Sequence, residues 1–224
     1  MKKIKLALIA MVGIFCFACE EKEVAKEVKN VVQETAELQK QSANFTDSRD
    51  GKKYKIVKIG EQVWMAENLN YEANGSKCYD NKTENCEKYG KLYNWETAMK
   101  ACPSGWHLPN NAEWDKLYRF ADGSSGSESP YNSITAGKYL KAKNDWKEPS
   151  NGTNTHGFTA LPGGYGDPYN AFRDIYVYSY WWSSNENNAN NAYARYMFNL
   201  YEGAYWVENF SKKNLLLSVR CLQD

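Results

Sequence analysis

Apolar and polar side chains alternate along much of the chain after residue 52, which is typical of strands that cover a core with one face. Residues 52–59 are predicted to form a strand, Gly60 and Glu61 a two-residue turn, and residues 62–65 the returning strand of a hairpin. The same period returns after Asn151. Further strands are predicted at residues 157–161, 178–184, 193–199, 204–210 and 215–222.

After residue 52, helical spacing is confined to the middle of the sequence. Asn94 is placed to cap a helix that Pro103 ends, and Asn110 with Glu113 forms a capping box for a second helix. The helices are predicted at residues 95–102, 110–121 and 136–142. A hairpin, two main helices and then antiparallel strands indicate an α+β domain.

The N-terminus has the layout of an export signal. Three lysines precede an apolar stretch at residues 6–17, which is shorter than the roughly 20 residues of a membrane span, and Ala18-Cys19 follows. Residues 15–19 resemble a bacterial lipobox. That resemblance implies a signal peptide at residues 1–19 and acylation of Cys19, including palmitate, with lipid anchoring at the outer membrane or cell surface. An ordinary signal peptide cut elsewhere and a short transmembrane anchor are the alternatives.

Residues 20–44 contain no Gly, Pro or aromatic residue and are rich in Glu and Lys. Val24, Val28, Val31 and Leu38 recur at helical spacing on this segment. It is predicted to be a charged helical linker, either a solvated spacer or a self-associating stalk. The globular domain is expected to occupy residues 45–224.

Composition excludes several classes of protein. Lys and Arg number 28 and Asp and Glu 27, so counterion release cannot drive binding to nucleic acid, and no nucleic-acid partner is expected. The 17 Tyr and 8 Trp argue against a disordered chain. No HExxH, GxSxG, P-loop or CxxC string occurs. A protein without enzymatic activity is therefore predicted.

Four cysteines remain beyond the signal: Cys78, Cys86, Cys102 and Cys221. They allow three connectivities, and an exported chain favours disulfides over thiols. Cys78 and Cys86 bracket a short loop that closes easily. We therefore expect Cys78–Cys86 and Cys102–Cys221, and no zinc site, because CxxC-type spacing is absent.

Aromatic residues concentrate between residues 165 and 206, flanked by Asn, Asp and Glu. Aromatic faces beside such polar groups stack on sugar rings, whereas the alternative is that most of them are core or line a protein interface. Trp181 and Trp182 are adjacent in a strand, so one is expected to be buried and the other exposed or covered by a loop. The candidate ligand-binding residues are Tyr180, Trp181, Trp182, Asn185, Glu186, Tyr201 and Trp206.

Other polar residues give weaker indications. The Asn-rich segment at residues 185–191 offers oxygen ligands for Ca²⁺, but such segments more often form turns, and no metal or cofactor is expected. His107 is expected to be a packed, hydrogen-bonded core residue. Neither a catalytic triad nor a pair of carboxylates can be assigned.

The strings FTDSRDGKKYKIVKIGEQVWMAENLNY, CYDNKTENCEKYGKLYNWETAMKACPSGWHLP, GFTALPGGY, YWWSSNENNANNAY and SVRCL occur in this order. Together they resemble the Fibrobacter succinogenes major paralogous domain over residues 45–224. The resemblance implies an exported, often lipid-anchored protein from a large paralogous family. It also implies a fold similar to C-type lectins and formylglycine-generating enzymes, and Cys102–Cys221 resembles the long disulfide of lectin-like domains.

The chain departs from both of these relatives at their functional residues. A second cysteine near Cys221, needed for the catalytic pair of formylglycine-generating enzymes, is missing. The run from Glu148 to Asn151 only approximates a lectin calcium motif. We therefore expect a non-catalytic binding module for extracellular polysaccharide or an envelope protein. A scaffold domain without a ligand and a divergent formylglycine-type enzyme are the alternatives.

Overall fold

Within residues 44–149 and 151–224, which are the residues that the computed structural model describes, the chain forms a mixed α+β domain of three sheets, four short α-helices and one 3₁₀ helix (Tyr79–Asn81). The expected signal peptide at residues 1–19, the acylated Cys19 and the linker up to residue 43 lie outside the described residues.

Three strands come first, helices and short strands alternate in the middle of the domain, and seven strands follow the last helix. The strands are β1 (Asn44–Thr46), β2 (Lys53–Ile59), β3 (Gln62–Met65), β4 (Leu92–Tyr93), β5 (Trp106–His107), β6 (Tyr165–Gly166), β7 (Phe172–Arg173), β8 (Tyr178–Glu186), β9 (Asn191–Phe198), β10 (Tyr205–Ser211), β11 (Leu217–Ser218) and β12 (Leu222–Gln223). The helices are α1 (Thr83–Tyr89), α2 (Trp95–Ala101), α3 (Asn111–Asp122) and α4 (Ala136–Leu140).

Two five-stranded sheets carry most of the domain. The first has the order β1-β2-β3-β12-β5, and the second β10-β9-β8-β11-β4. In the first sheet the late strand β12 lies between two early ones, where Leu222 pairs with Trp64 on one side and His107 on the other. Strands β6 and β7 form a separate two-stranded sheet.

The predicted helix caps are present. The Asn94 side chain accepts a hydrogen bond from the Thr97 amide at 2.8 Å at the start of α2. At the start of α3, the Asn110 side chain accepts from the Glu113 amide at 3.0 Å, and the Glu113 carboxylate accepts from the Asn110 amide at 2.8 Å. This is the predicted capping box. Helix α3 buries Trp114, Leu117, Tyr118 and Ala121, as the spacing predicted.

The centre of the second sheet is covered on both faces. Trp181 packs with Trp64, Trp114 and Phe158, whereas Trp182 packs in another apolar cluster with Met65 and others. Both indoles are fully buried, and each donates a hydrogen bond, from Trp181 to the Asn68 side chain and from Trp182 to the Tyr93 carbonyl. The expectation that one of the two would be exposed or covered only by a loop is wrong, because both sides of this strand are core.

Both predicted disulfides are present. Cys78 pairs with Cys86 across 8 residues, and Cys102 pairs with Cys221 across 119 residues. The second disulfide links the residue that follows α2 to the segment between β11 and β12.

Two predicted strands differ from the structure. Residues 157–161 form no strand, because Thr159 has a left-handed φ of 55° and only Ala160 makes an isolated bridge, to Lys141. The stretch at residues 215–222 is divided into β11 and β12. Between them the Val219 carbonyl accepts from the Leu69 amide, so the chain passes there from the second sheet to the first.

Candidate functional site

Half-buried aromatic rings lie side by side on one face of β8, β9 and β10. Strand pairing places Tyr178 opposite Phe198, and Tyr180 opposite Tyr196, which in turn lies opposite Tyr205. Paired residues in antiparallel strands point to the same side of a sheet, so these side chains share one face. We define the tyrosine face as Tyr165, Tyr178, Tyr180, Tyr196, Phe198 and Tyr205; the Tyr165 ring, from β6, contacts Tyr180 at 5.5 Å between ring centroids.

The rings of the tyrosine face hold one another in place. The Tyr178 ring is nearly parallel to those of Phe198 and Tyr180, at 8° in both cases, with centroids 5.1 and 5.5 Å away. Tyr196 and Tyr205 stack at 28° and 5.3 Å. At these separations the rings are stacked with a sideways offset, so each ring face is partly covered by its neighbour. The face is therefore pre-organised, and little side-chain entropy is lost when a ligand binds.

The phenol hydroxyls of this face reach the surface. In the part of the chain that the structure describes, the five tyrosine hydroxyls have no protein hydrogen-bond partner, and none is among the fully buried polar atoms without a partner. Burial of the rings raises the pKa of Tyr180 well above its usual value and also raises the pKa of Tyr196 and Tyr205. The hydroxyls of Tyr180, Tyr196 and Tyr205 therefore stay neutral at physiological pH, and each can both donate and accept.

The reverse side of the same sheet is anchored to α3 by a buried ion pair. Arg195, which lies on β9, contacts the Asp115 carboxylate at 2.8 Å and donates to the Asn111 carbonyl at 3.0 Å. The side chains of Arg195 and Asp115 are 0% and 6% exposed. The ion pair fixes the position of the strand that carries Tyr196 and Phe198.

A family model described as the Fibrobacter succinogenes major domain matches residues 57–223, which include the whole tyrosine face. The chain belongs to this family. No curated protein and no solved structure matches the chain.

In this Fibrobacter succinogenes major domain, two of the predicted ligand-binding residues lie at the tyrosine face. Tyr180 is at its centre, and Tyr201 is 58% exposed with its ring 4.8 Å from that of Phe198. Trp181 and Trp182 are removed from the candidate site by their burial. Of the predicted tryptophans, only Trp206 is partly exposed.

Trp206, Asn185 and Glu186 lie elsewhere in the domain. Trp206 pairs with Arg195 in the sheet, so its ring lies on the opposite face, 5.8 Å from Tyr193. The Asn185 side chain accepts from the amide of Asn111, the first residue of α3, at 2.6 Å. Glu186 forms an ion pair with Lys212 at 3.1 Å. These contacts are structural, and they do not bring the three residues to the tyrosine face.

Five members of the tyrosine face are not among the ligand-binding residues predicted from the sequence: Tyr165, Tyr178, Tyr196, Phe198 and Tyr205. A signal for them exists in the sequence, because Tyr178 and Tyr180 are two residues apart, as are Tyr196 and Phe198. A two-residue spacing places both members of each pair on one face of a strand. The register that joins the pairs requires the structure.

His107 lies at a second polar cluster, on β5. Its imidazole contacts the Asp224 carboxylate at 2.6 Å through Nδ1 and the Glu113 carboxylate at 3.0 Å through Nε2. The side chain is 36% exposed, so the expectation of a core histidine is wrong, although its ring is hydrogen-bonded. Burial alone lowers the pKa of His107, but Asp224 and Glu113 outweigh burial and raise it above the usual 6.5.

Loss of His107 is expected to destabilise the domain more in acid than in alkali. A raised pKa in the folded state stabilises the fold fully below about pH 6.5, and this contribution disappears as the pH rises through the raised value. The difference in the free energy of unfolding between wild type and His107→Gln, measured by urea denaturation, should be larger at about pH 5.5 than at about pH 8.5.

The control for this measurement is His156→Gln, which removes the other histidine from between the rings of Phe120 and Tyr139. A pH-independent effect of His107→Gln would show that the imidazole does not act as a cation between the two carboxylates.

The described residues contain no group of three or more His, Cys, Asp or Glu side chains arranged to hold a metal ion. Among these residues there is also no helix that is both long and apolar enough to cross a membrane.

Proposed function

We propose that this protein is a cell-envelope lipoprotein whose globular domain is a non-catalytic binding module for extracellular polysaccharide. The observation that carries the proposal is the row of pre-organised phenol hydroxyls on the tyrosine face. Each hydroxyl can donate to and accept from a sugar hydroxyl, and the ring edges beside it provide apolar contact for sugar C–H groups.

Rigidity supports a role in binding. The stacked rings hold their hydroxyls on strands β8–β10, and the Arg195–Asp115 ion pair fixes those strands from behind. Tyrosine is favoured in binding surfaces because a large contact area is obtained by fixing only two side-chain torsions.

Export and lipid anchoring are proposed from the N-terminal sequence, with acylation at Cys19 and residues 20–44 as a linker. Two disulfides in the domain support an oxidising compartment, since disulfides are rare in the cytosol. A relation to the C-type-lectin-like fold is supported by the long disulfide and by the first and last strands sharing a sheet. The disulfide bond of Cys221 supports a role without thiol catalysis.

An envelope protein is the second candidate partner, favoured by one observation. The tip of the β9–β10 hairpin exposes Leu200 and Tyr201, and the bridge between Ser133 and Ala204 brings the exposed Ile134 to the same place. Apolar and aromatic residues of this kind are typical of protein interfaces.

Removal of two central rings is expected to abolish most polysaccharide binding. In a pull-down of the full detergent-solubilised chain with cellulose, xylan, mannan and chitin, Tyr180→Ala/Tyr196→Ala should weaken retention by at least about tenfold, or ~1.4 kcal/mol. The matched control is Tyr193→Ala, which removes a half-buried tyrosine from the opposite face of β9.

The far-ultraviolet circular dichroism spectrum and a cooperative urea-unfolding transition should show that each variant is folded, so that lost retention reports binding and not unfolding. Retention of no polymer by the wild type would contradict the proposal and favour the scaffold alternative. If Tyr193→Ala lost as much retention as the double variant, the polysaccharide would bind at a surface other than the tyrosine face.

A further inference from the structure

We propose that the polysaccharide bound by the tyrosine face is a neutral linear chain, and that it is held along its interior through several sugar units at once. This inference rests on the proposed function and narrows it. It excludes acidic polymers, free sugars and chain ends as the preferred ligand.

The charge of the tyrosine face supports a neutral ligand. Its six members are uncharged, and Val207 and Phe210, which follow on the same side of β10, are apolar. Burial, Asp174 and Asp167 raise the pKa of Tyr165 and Arg173 lowers it, so the charges near that margin are two carboxylates and one guanidinium, with no excess of cations. An acidic polymer is bound by several cationic groups that match its charges, and this face displays none among its members.

The buried Lys141 does not change this conclusion. It lies behind the hairpin, fully buried, where its ammonium donates to the Phe198 carbonyl at 3.2 Å and the Tyr201 carbonyl at 2.8 Å. Its charge therefore stabilises the main chain of the hairpin and is not presented to a ligand.

The spacing of the rings supports an extended ligand. From Tyr165 through Tyr180 and Tyr196 to Tyr205, successive ring centroids are 5.5, 5.6 and 5.3 Å apart. The last two steps cross the neighbouring strands β8, β9 and β10, so they follow from the strand spacing of about 4.8 Å, whereas the first step joins β6 of the separate two-stranded sheet to β8. In a linear polysaccharide the hydroxyl groups recur with every sugar unit, and the length of one unit is comparable to the distance between neighbouring tyrosine rings. Successive sugars can therefore contact successive tyrosines.

The chemistry of the contacts supports binding through many units. A hydrogen bond between two neutral, solvent-accessible hydroxyls replaces bonds to water and adds little affinity by itself. Strong retention therefore requires several such contacts on one rigid ligand, and affinity should rise with chain length. A free sugar, which contacts one or two hydroxyls, competes poorly.

Affinity electrophoresis of the full chain in detergent tests the inference. Neutral probes are hydroxyethylcellulose, glucomannan and arabinoxylan; anionic probes are carboxymethylcellulose, polygalacturonate and alginate. We expect at least one neutral polymer to retard the protein, with little change between low and high salt. A large excess of the constituent mono- or disaccharide should leave this retardation unchanged.

Removal of hydroxyls alone provides the matched variants. Tyr180→Phe/Tyr196→Phe/Tyr205→Phe keeps the stacked rings and should weaken binding to the neutral polymer by about tenfold, whereas Tyr193→Phe, on the opposite face, should not. An undiminished affinity in the triple variant would overturn the assignment of the hydroxyls.

The remaining outcomes separate this inference from the proposed function. Retardation by anionic polymers alone, lost at high salt, would overturn the neutral ligand and leave polysaccharide binding intact. Full competition by a monosaccharide would overturn binding along the chain interior. The absence of retardation by every polymer, together with self-association that the triple variant abolishes, would overturn both and assign the face to a second copy of this chain.

Discussion

Replacement of Arg195 by methionine is expected to lower the free energy of unfolding by about 3–5 kcal/mol. The variant leaves the Asp115 carboxylate buried without a cation, and the Asn111 carbonyl loses a charged donor. Since both side chains of the ion pair are almost completely buried, water cannot replace the lost partner. Urea denaturation, with the slope compared between variants, measures the change.

A double variant separates the ion pair from its packing. Arg195→Met/Asp115→Leu removes both charges, so it should be clearly more stable than Arg195→Met alone. Recovery should be incomplete, because the Asp115 carboxylate also accepts from the Tyr131 amide at 2.9 Å. If the double variant is as unstable as the sum of the two single variants, the two residues are not coupled.

An exposed ion pair on the same helix provides the control. Lys116 lies 3.8 Å from Glu61, and their side chains are 65% and 91% exposed. Lys116→Met should change the free energy of unfolding by no more than about 0.5 kcal/mol, because solvent screens such a pair.

Removal of the disulfide between Cys102 and Cys221 is expected to cost about 5 kcal/mol from loop-closure entropy alone. The bond closes a sequence separation of 119 residues, and its loss releases this constraint on the unfolded chain. The variant Cys102→Ala/Cys221→Ala should therefore unfold at much lower urea concentration than the wild type. A loss of this size is comparable to the total free energy of unfolding of many domains. A variant that is partly unfolded even without urea would therefore agree with the prediction.

The other disulfide is the internal comparison. Cys78–Cys86 closes a separation of only 8 residues, so Cys78→Ala/Cys86→Ala should cost about 2.5 kcal/mol. Equal losses for the two double variants would contradict the dependence on loop length.

Local signals in the sequence were sufficient for several elements. Asn94 and Asn110 marked the starts of α2 and α3, because an N-cap acts through neighbouring amides and needs no tertiary contact. The hairpin turn at Gly60 was likewise predictable, since its φ of 61° suits glycine. Both disulfides followed from cysteine count and spacing.

Long-range pairing could not be predicted in this way. The insertion of β12 between β3 and β5 depends on Leu222 finding Trp64 and His107, and no local pattern encodes these partners. Thr159 illustrates a related limit. The alternation around it predicts a strand, but its backbone is left-handed, where the Asn154 side chain accepts from its amide at 2.8 Å and the distant Arg220 donates to its carbonyl at 3.4 Å.

The sequence predicts which segment carries the candidate site, but not which side chains of that segment share one surface. The aromatic composition located it between residues 165 and 206, whereas the register of β8, β9 and β10 decides which rings meet. That register shifts after Trp182 and again after Val207, so counting residues along the strands gives the wrong neighbours. Trp181 and Trp182 were chosen because tryptophan favours binding sites, but the centre of this sheet is enclosed on both sides.

The position of β12 between β3 and β5 has a consequence for the order of folding. The facing edges of β3 and β5 have no strand between them until Leu222 has paired with both. The first sheet is therefore completed only when nearly the whole domain is available, and its assembly is slow because its contacts are distant in sequence. Until then the incompletely folded chain carries open strand edges, which is the state that chaperones protect from aggregation.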